Sequence, residues 1–142
     1  DFSQNNISAA VHETWGDEVC DVLMELDSVP DLPTWKPEGF RLDRIETSII
    51  PTGGWMFLAI YTDDAGIELV LSVEELSAQD PDYHISYERN ADSGKVVEHD
   101  GIQYYYMENM DRSKIVWLQD GVALYISGYF SEQDAYRMVE SI

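Results

Sequence analysis

The chain has 142 residues, 28 acidic against 8 basic side chains, and a formal net charge of −20. Its 44% hydrophobic and 12% aromatic content is too rich for a disordered acidic tail, so the acidity decorates a folded domain with a core of its own. A field of this sign repels phosphate backbones and anionic lipid headgroups, which argues against nucleic acid as a partner and leaves a solvated, solubilising surface as the plain reading.

Residues 1–6 are polar, after which Ile7, Val11, Trp15, Val19, Val22, Leu23 and Leu26 recur at three- and four-residue spacing. That periodicity predicts an amphipathic helix, with Gly16 as the place where it would break. Cys20 lies in this apolar stretch without basic neighbours. As the single cysteine it excludes an internal disulfide and reads as buried and inert. Prolines between Ser28 and Gly39 then force a loop.

From Arg41 the period changes to two. Arg41 to Ile50, Trp55 to Thr62 and Ile67 to Val73 read as strands joined by Pro51-Thr52-Gly53-Gly54 and Asp63-Asp64-Ala65-Gly66 turns. Trp55 to Thr62 is apolar at successive positions, the mark of a strand covered on both faces. Glu74 to Ser93 is polar and turn-rich, with one short strand suggested at Ile85 to Glu88. Lys95 to His99, Ile102 to Met107, Lys114 to Gln119 and Val122 to Ser127 follow, with Asp100-Gly101 and Asp120-Gly121 as hairpin turns.

A final helix begins with Ser131 as N-cap and Asp134 as its capping partner. It places Ala135, Met138, Val139 and Ile142 on one face, and Tyr129 and Phe130 are positioned to staple its entry. The sum is an α+β fold: an antiparallel meander sheet of about six or seven strands, with an N-terminal and a C-terminal helix packed on it. Residues 1–31 form the helical segment leading into the domain and residues 32–142 the sheet with its last helix, as a single domain.

Catalytic motifs are missing. His12-Glu13 begins like a zinc-peptidase helix, but Gly16 stands where the second histidine belongs. His84 and His99 lack ligand partners at metal-binding spacing, and no nucleophile elbow, phosphate-cradling loop or dinucleotide fingerprint occurs. The sequence therefore predicts no catalytic residues, no cofactor and no metal. Aspartates in Asp63-Asp64, Asp80-Pro81-Asp82 and Asn90-Ala91-Asp92-Ser93-Gly94 suggest calcium, yet none completes an alternating ligand loop, and all suit tight turns.

Aromatic residues supply the one candidate surface, Tyr104, Tyr105, Tyr106, Trp117 and Tyr125. Alternation puts Tyr104 and Tyr106 on one face and Tyr105 on the other. The group is either a binding strip for a peptide, glycan or lipid, or cross-strand packing inside the sheet.

Four short pieces carry a family resemblance: Pro37-Glu38-Gly39-Phe40, Val97-Glu98-His99-Asp100-Gly101, Trp117 to Gly121, and Tyr125-Ile126-Ser127-Gly128 followed by the helix from Ser131 to Ile142. In this order and spacing the chain from Leu32 to Ile142 resembles the domain of unknown function 4367 family. That family is found in the outer parts of membrane-anchored Firmicutes proteins, including anti-sigma-factor-like ones. The resemblance implies an extracytoplasmic sensing or protein-interaction module whose partner is an unknown protein, peptide or small ligand.

The first residue is Asp1 rather than methionine, and no signal peptide or apolar membrane-spanning run occurs. The expectation is a fragment that meets the membrane only through a segment upstream of Asp1. A curved sheet with helices across it would also suit a lipid or hydrophobic-ligand carrier, the competing reading. If the aspartate-rich segments are turns alone, millimolar calcium leaves the melting temperature unchanged, whereas an upward shift in a thermal scan would reveal a site.

Overall fold

Two short helices, α1 (Ala9–Trp15) and α2 (Asp17–Leu23), stand where the sequence predicts one amphipathic run. Gly16 separates them with φ 103°, ψ 153°, a conformation open to glycine and strained for other residues. Ser8 caps α1 by accepting a hydrogen bond from the Val11 amide at 3.3 Å. Asp17 and Glu18 occupy the first turn of α2, where acids favour the helix dipole. The apolar period survives the break, because Val11, Trp15, Val19, Cys20, Leu23 and Leu26 are all buried.

The computed structural model describes residues 7–26, 29–49, 55–75, 95–119 and 121–142. The 51–54 turn, Asp120, the strand suggested at Ile85 to Glu88, and the aspartate-rich segments at 80–82 and 90–94 lie outside the described residues.

Seven strands form one antiparallel sheet: β1 (Arg41–Ile49), β2 (Trp55–Thr62), β3 (Glu68–Glu75), β4 (Lys95–His99), β5 (Ile102–Asn109), β6 (Arg112–Gln119) and β7 (Val122–Gly128). The spatial order is β1-β2-β3-β7-β6-β5-β4. The expected meander is thus two meanders joined side by side, with β3 paired to β7 at the seam from Leu69↔Gly128 to Glu75↔Val122. Helix α3 (Glu132–Glu140) follows β7 directly.

The three helices among the described residues lie on one face of this sheet, and their buried residues share a cluster with Phe57, Leu71, Trp117, Leu124 and Ile126. We call this the inner face. On α3 the Ser131 hydroxyl accepts from the Asp134 amide at 3.0 Å, and Ala135, Met138 and Val139 are buried. Phe130 enters the core while Tyr129 is 57% exposed, so the staple before the cap is Phe130 alone.

Local chemistry sets the turns. Asp63 Oδ1 accepts from both the Ala65 and Ile67 amides at 2.9 Å, which accounts for one of the aspartate pairs as turn structure. Asp100 and Gly101 have φ of 51° and 82°, as a primed two-residue hairpin requires. Met110 and Asp111 do the same between β5 and β6, at φ 53° and 69°, with no glycine to relieve them.

Of the two outer strands among the described residues, β1 is the blunted one. β1 carries a register irregularity between Leu42 and Arg44, and Arg44 pairs with Asp43 at 2.6 Å and Glu46 at 2.8 Å. β4 is only five residues long.

The strained turn gives a direct test. Met110 is 89% exposed, so replacing it removes little packing. Met110→Asn with Asp111→Gly is expected to stabilise the protein by about 1 kcal/mol. The gain should appear as a higher urea midpoint at unchanged slope.

Candidate functional site

The register dictates which predicted aromatics meet. On the inner face Val97, Tyr104, Trp117, Leu124 and Val73 follow one another across five strands. On the outer face the neighbouring row runs Val96, Tyr105, Val116, Tyr125, Ser72. The five candidate residues therefore divide: Tyr104, Tyr106 and Trp117 face the helices, and Tyr105 and Tyr125 face the other way.

Tyr104 and Trp117 are neighbours with ring centroids 5.2 Å apart, and both are essentially inaccessible. The Tyr104 hydroxyl and the Trp117 indole nitrogen are buried with no hydrogen-bond partner among the described residues. Burial raises the Tyr104 phenol to about 12, with the charges of Asp31 and Asp100 adding to the rise. Tyr106, by contrast, is tied down: its hydroxyl donates to Glu108 at 3.0 Å and lies 3.1 Å from Ser113 Oγ. Ser113 in turn donates to the Phe130 carbonyl at 2.8 Å, so this pair anchors the entry to α3.

The outer face holds a second buried cluster of Tyr105, Val116, Ala123 and Tyr125, with Met107 and Leu118 packed against it. The Tyr125 hydroxyl donates to Glu74 at 3.1 Å, and Lys114 Nζ sits 4.7 Å above the Tyr125 ring. Burial lowers the Lys114 ammonium pKa, Glu74 opposes that, and Arg112 adds to it. Burial also raises the Tyr125 phenol, reinforced by the charge of Glu74 and its hydrogen bond. Glu74 and Lys114 were not among the candidates read from sequence. Their signal was available only through pairing, because they flank Tyr125 on β3 and β6 rather than in sequence.

Other reactive groups are quieted. Cys20 is fully buried, and burial together with Asp17 and Asp21 raises its thiol to about 11. Lys36 is held below the usual lysine range by burial, and its Nζ donates to the Phe40 carbonyl at 3.1 Å. Among the described residues no group of three His, Cys, Asp or Glu side chains gathers at metal-binding range. Nor is any described helix long and apolar enough to cross a membrane.

One cavity of about 280 Å³ opens beside the inner face, between the start of α1, the loop at 29–34 and Ile142. A shallower space of about 290 Å³ lies against Gln103, Tyr105 and Leu118 on the outer face.

Residues 32–142 match the sequence model of the family described as domain of unknown function 4367. No curated protein sequence matches the chain. In structure the chain is similar to a GTP-binding regulator from Thermotoga maritima, at 9% identity and a TM-score of 0.47. The match covers 75% of this chain and 79% of that chain, and a likeness of this degree carries no argument about function.

The buried phenols predict an alkaline transition. Tyr104 prefers its neutral form in the folded state, so the associated stability is complete below the ordinary value of 10.0 and is lost as pH rises toward about 12. Unfolding followed by circular dichroism should coincide with tyrosinate absorbance across that window. Tyr104→Phe should move the midpoint to higher pH.

Proposed function

The chain belongs to the domain of unknown function 4367 family, and from that premise we propose that it is a non-catalytic sensing or protein-interaction module. It works on the outer side of a bacterial membrane, as part of a membrane-anchored, anti-sigma-factor-like protein. Its partner is a protein segment with basic and apolar side chains, received in extended form along β4. Binding alters the proteolytic accessibility of the membrane protein that carries the domain.

The observation that carries this reading is the outer-face row of the sheet. Tyr105, Val116 and Tyr125 lie buried in register, and the row continues into Val96, which is 54% exposed on the outermost strand. An apolar side chain at the end of a buried row, beside a strand edge, fits a partner that adds a strand and lays an alternate side chain next to it. The net charge of −20 supplies long-range selection for a basic segment and against an acidic one.

The carrier reading has less behind it. The inner face is filled by side chains such as Phe57, Leu71, Trp117 and Ile126, and the described cavities, about 240 to 290 Å³, fall at or below the size of small-molecule pockets.

A photo-crosslinking residue placed at Val96 in the full-length protein, in intact cells, tests the edge. The expected result is an adduct with another protein at Val96 and none at Thr47 on the opposite outer strand. Protease added outside the cells should also cleave the domain without lysis. Equal labelling at both edges would defeat the docking surface, and cleavage only after lysis would defeat the location.

A further inference from the structure

The chain's sulfur sits in one cysteine and five methionines, Cys20, Met24, Met56, Met107, Met110 and Met138, all among the described residues. Their surroundings differ widely. Cys20 and Met138 are fully buried. Met56 and Met107 are half-buried, and Met107 packs against the Tyr105 and Tyr125 cluster of the outer face. Met24 closes α2 and is 45% exposed, while Met110 is 89% exposed.

Met110 is open because of where the sheet ends. The β5–β6 ladder stops at Asn109↔Arg112, which leaves Met110 and Asp111 to make the turn beyond it. Met110 turns with φ 53°, a conformation unfavourable for a residue with a side chain, and no burial of that side chain offsets it. The hairpin thus carries a thioether into water at a position where it does nothing for the core.

Chemistry and charge narrow the reagent that would meet it. A thioether is uncharged and polarisable, and its sulfur reacts by accepting oxygen. Exposed Glu108 and Asp111 flank the tip, and the whole chain carries −20, so anionic oxidants are repelled while neutral ones approach freely. The thiol does not compete. A thiol reacts as its thiolate, and burial together with Asp17 and Asp21 holds Cys20 protonated, its pKa raised to about 11.

We propose that Met110 is an oxidation site of this protein, taking one oxygen atom from a neutral peroxide ahead of every other sulfur in the chain. With hydrogen peroxide, a sulfur lone pair attacks one peroxide oxygen, the O–O bond breaks and an S–O bond forms. The hydroxide that departs takes the proton of the transferred oxygen and leaves as water. Sulfur is oxidised by two electrons to the sulfoxide, and the peroxide is reduced by two. A methionine sulfoxide reductase reverses the change. Oxidation makes the hairpin tip polar while the core keeps its contacts, so the tip registers peroxide without loss of the fold. This site is independent of the β4 edge, and each can fail without the other.

The test treats the folded protein with hydrogen peroxide in steps, digests it, and fragments the peptides in a mass spectrometer to place each oxygen. The first gain of about 16 Da should fall on Met110, which should react about twice as fast as Met24 or faster, as their exposures of 89% and 45% require. Met138 should react only in urea, where the five methionines should become equivalent. Protein bearing the sulfoxide at Met110 alone should melt at the untreated temperature, and sulfoxide reductase should remove the added mass. Met110→Leu should delete the first uptake and leave that of Met24 unchanged. Peroxymonosulfate, an anionic peroxide, should oxidise Met110 faster at high salt than at low salt, and hydrogen peroxide should show no such response. Oxygen arriving first on another methionine, equal rates at Met110 and Met24, or a lowered melting temperature for the Met110 sulfoxide would each overturn the site. The same salt response for both oxidants would overturn the preference for a neutral one.

Discussion

Everything on the inner face depends on how Trp15 is held. Its indole N–H donates to the Pro33 carbonyl at 2.7 Å, its own carbonyl accepts from the Tyr61 hydroxyl at 2.6 Å, and its ring meets that of Tyr61 edge-on at 5.6 Å. One residue thus joins the helical segment to the sheet and to the proline-bearing loop. The Tyr61 bond is available because Gly16 ends α1 directly after Trp15, leaving that carbonyl without an intrahelical partner. A continuous helix would have consumed the carbonyl internally and separated Trp15 from Tyr61. The break at Gly16 is therefore a condition of the packing.

The anchor also explains why the segment before residue 32 is part of the same core as the rest. Val19, Cys20 and Leu23 are inaccessible and share one cluster with Leu71, Ile126 and Met138. The loop between helices and sheet is fastened at its other end as well, by Thr34 to Ser141 beyond α3 and by Asp31 to Gln119 of β6. The helical layer is held from both sides, and the 280 Å³ space lies between those fastenings.

Much of the architecture was legible because its signals are local. The alternation from Arg41 onward, the Asp100-Gly101 turn and the Ser131 cap each name their own structure, and each appears at its place. The Met110-Asp111 turn was not legible, since Met110 does not favour the positive φ it adopts and Asp111 has no glycine after it; the strands on either side dictate the conformation. The β3–β7 seam was invisible for another reason: antiparallel pairing between distant strands leaves no mark in either sequence. The same limit governed the candidate surface. Alternation within Tyr104-Tyr105-Tyr106 could be read directly, but which face the helices cover depends on tertiary packing, and only that separates Tyr104 and Trp117 from Tyr105 and Tyr125. Glu74 and Lys114 reach Tyr125 solely through the register of three strands.

The seam has a consequence for how the chain comes to be folded. The first three strands can pair as they are made, yet the free edge of β3 has to wait through β4, β5 and β6 for β7. Until β7 is added, the edges of β3 and β6 that it covers in the finished sheet lack their partner, and bare edges are where mispairing with another copy occurs. A chain cut short before Val122 would keep both edges bare. Closure of the sheet is thus a completeness test, written in backbone hydrogen bonds and passed only when the last strand arrives.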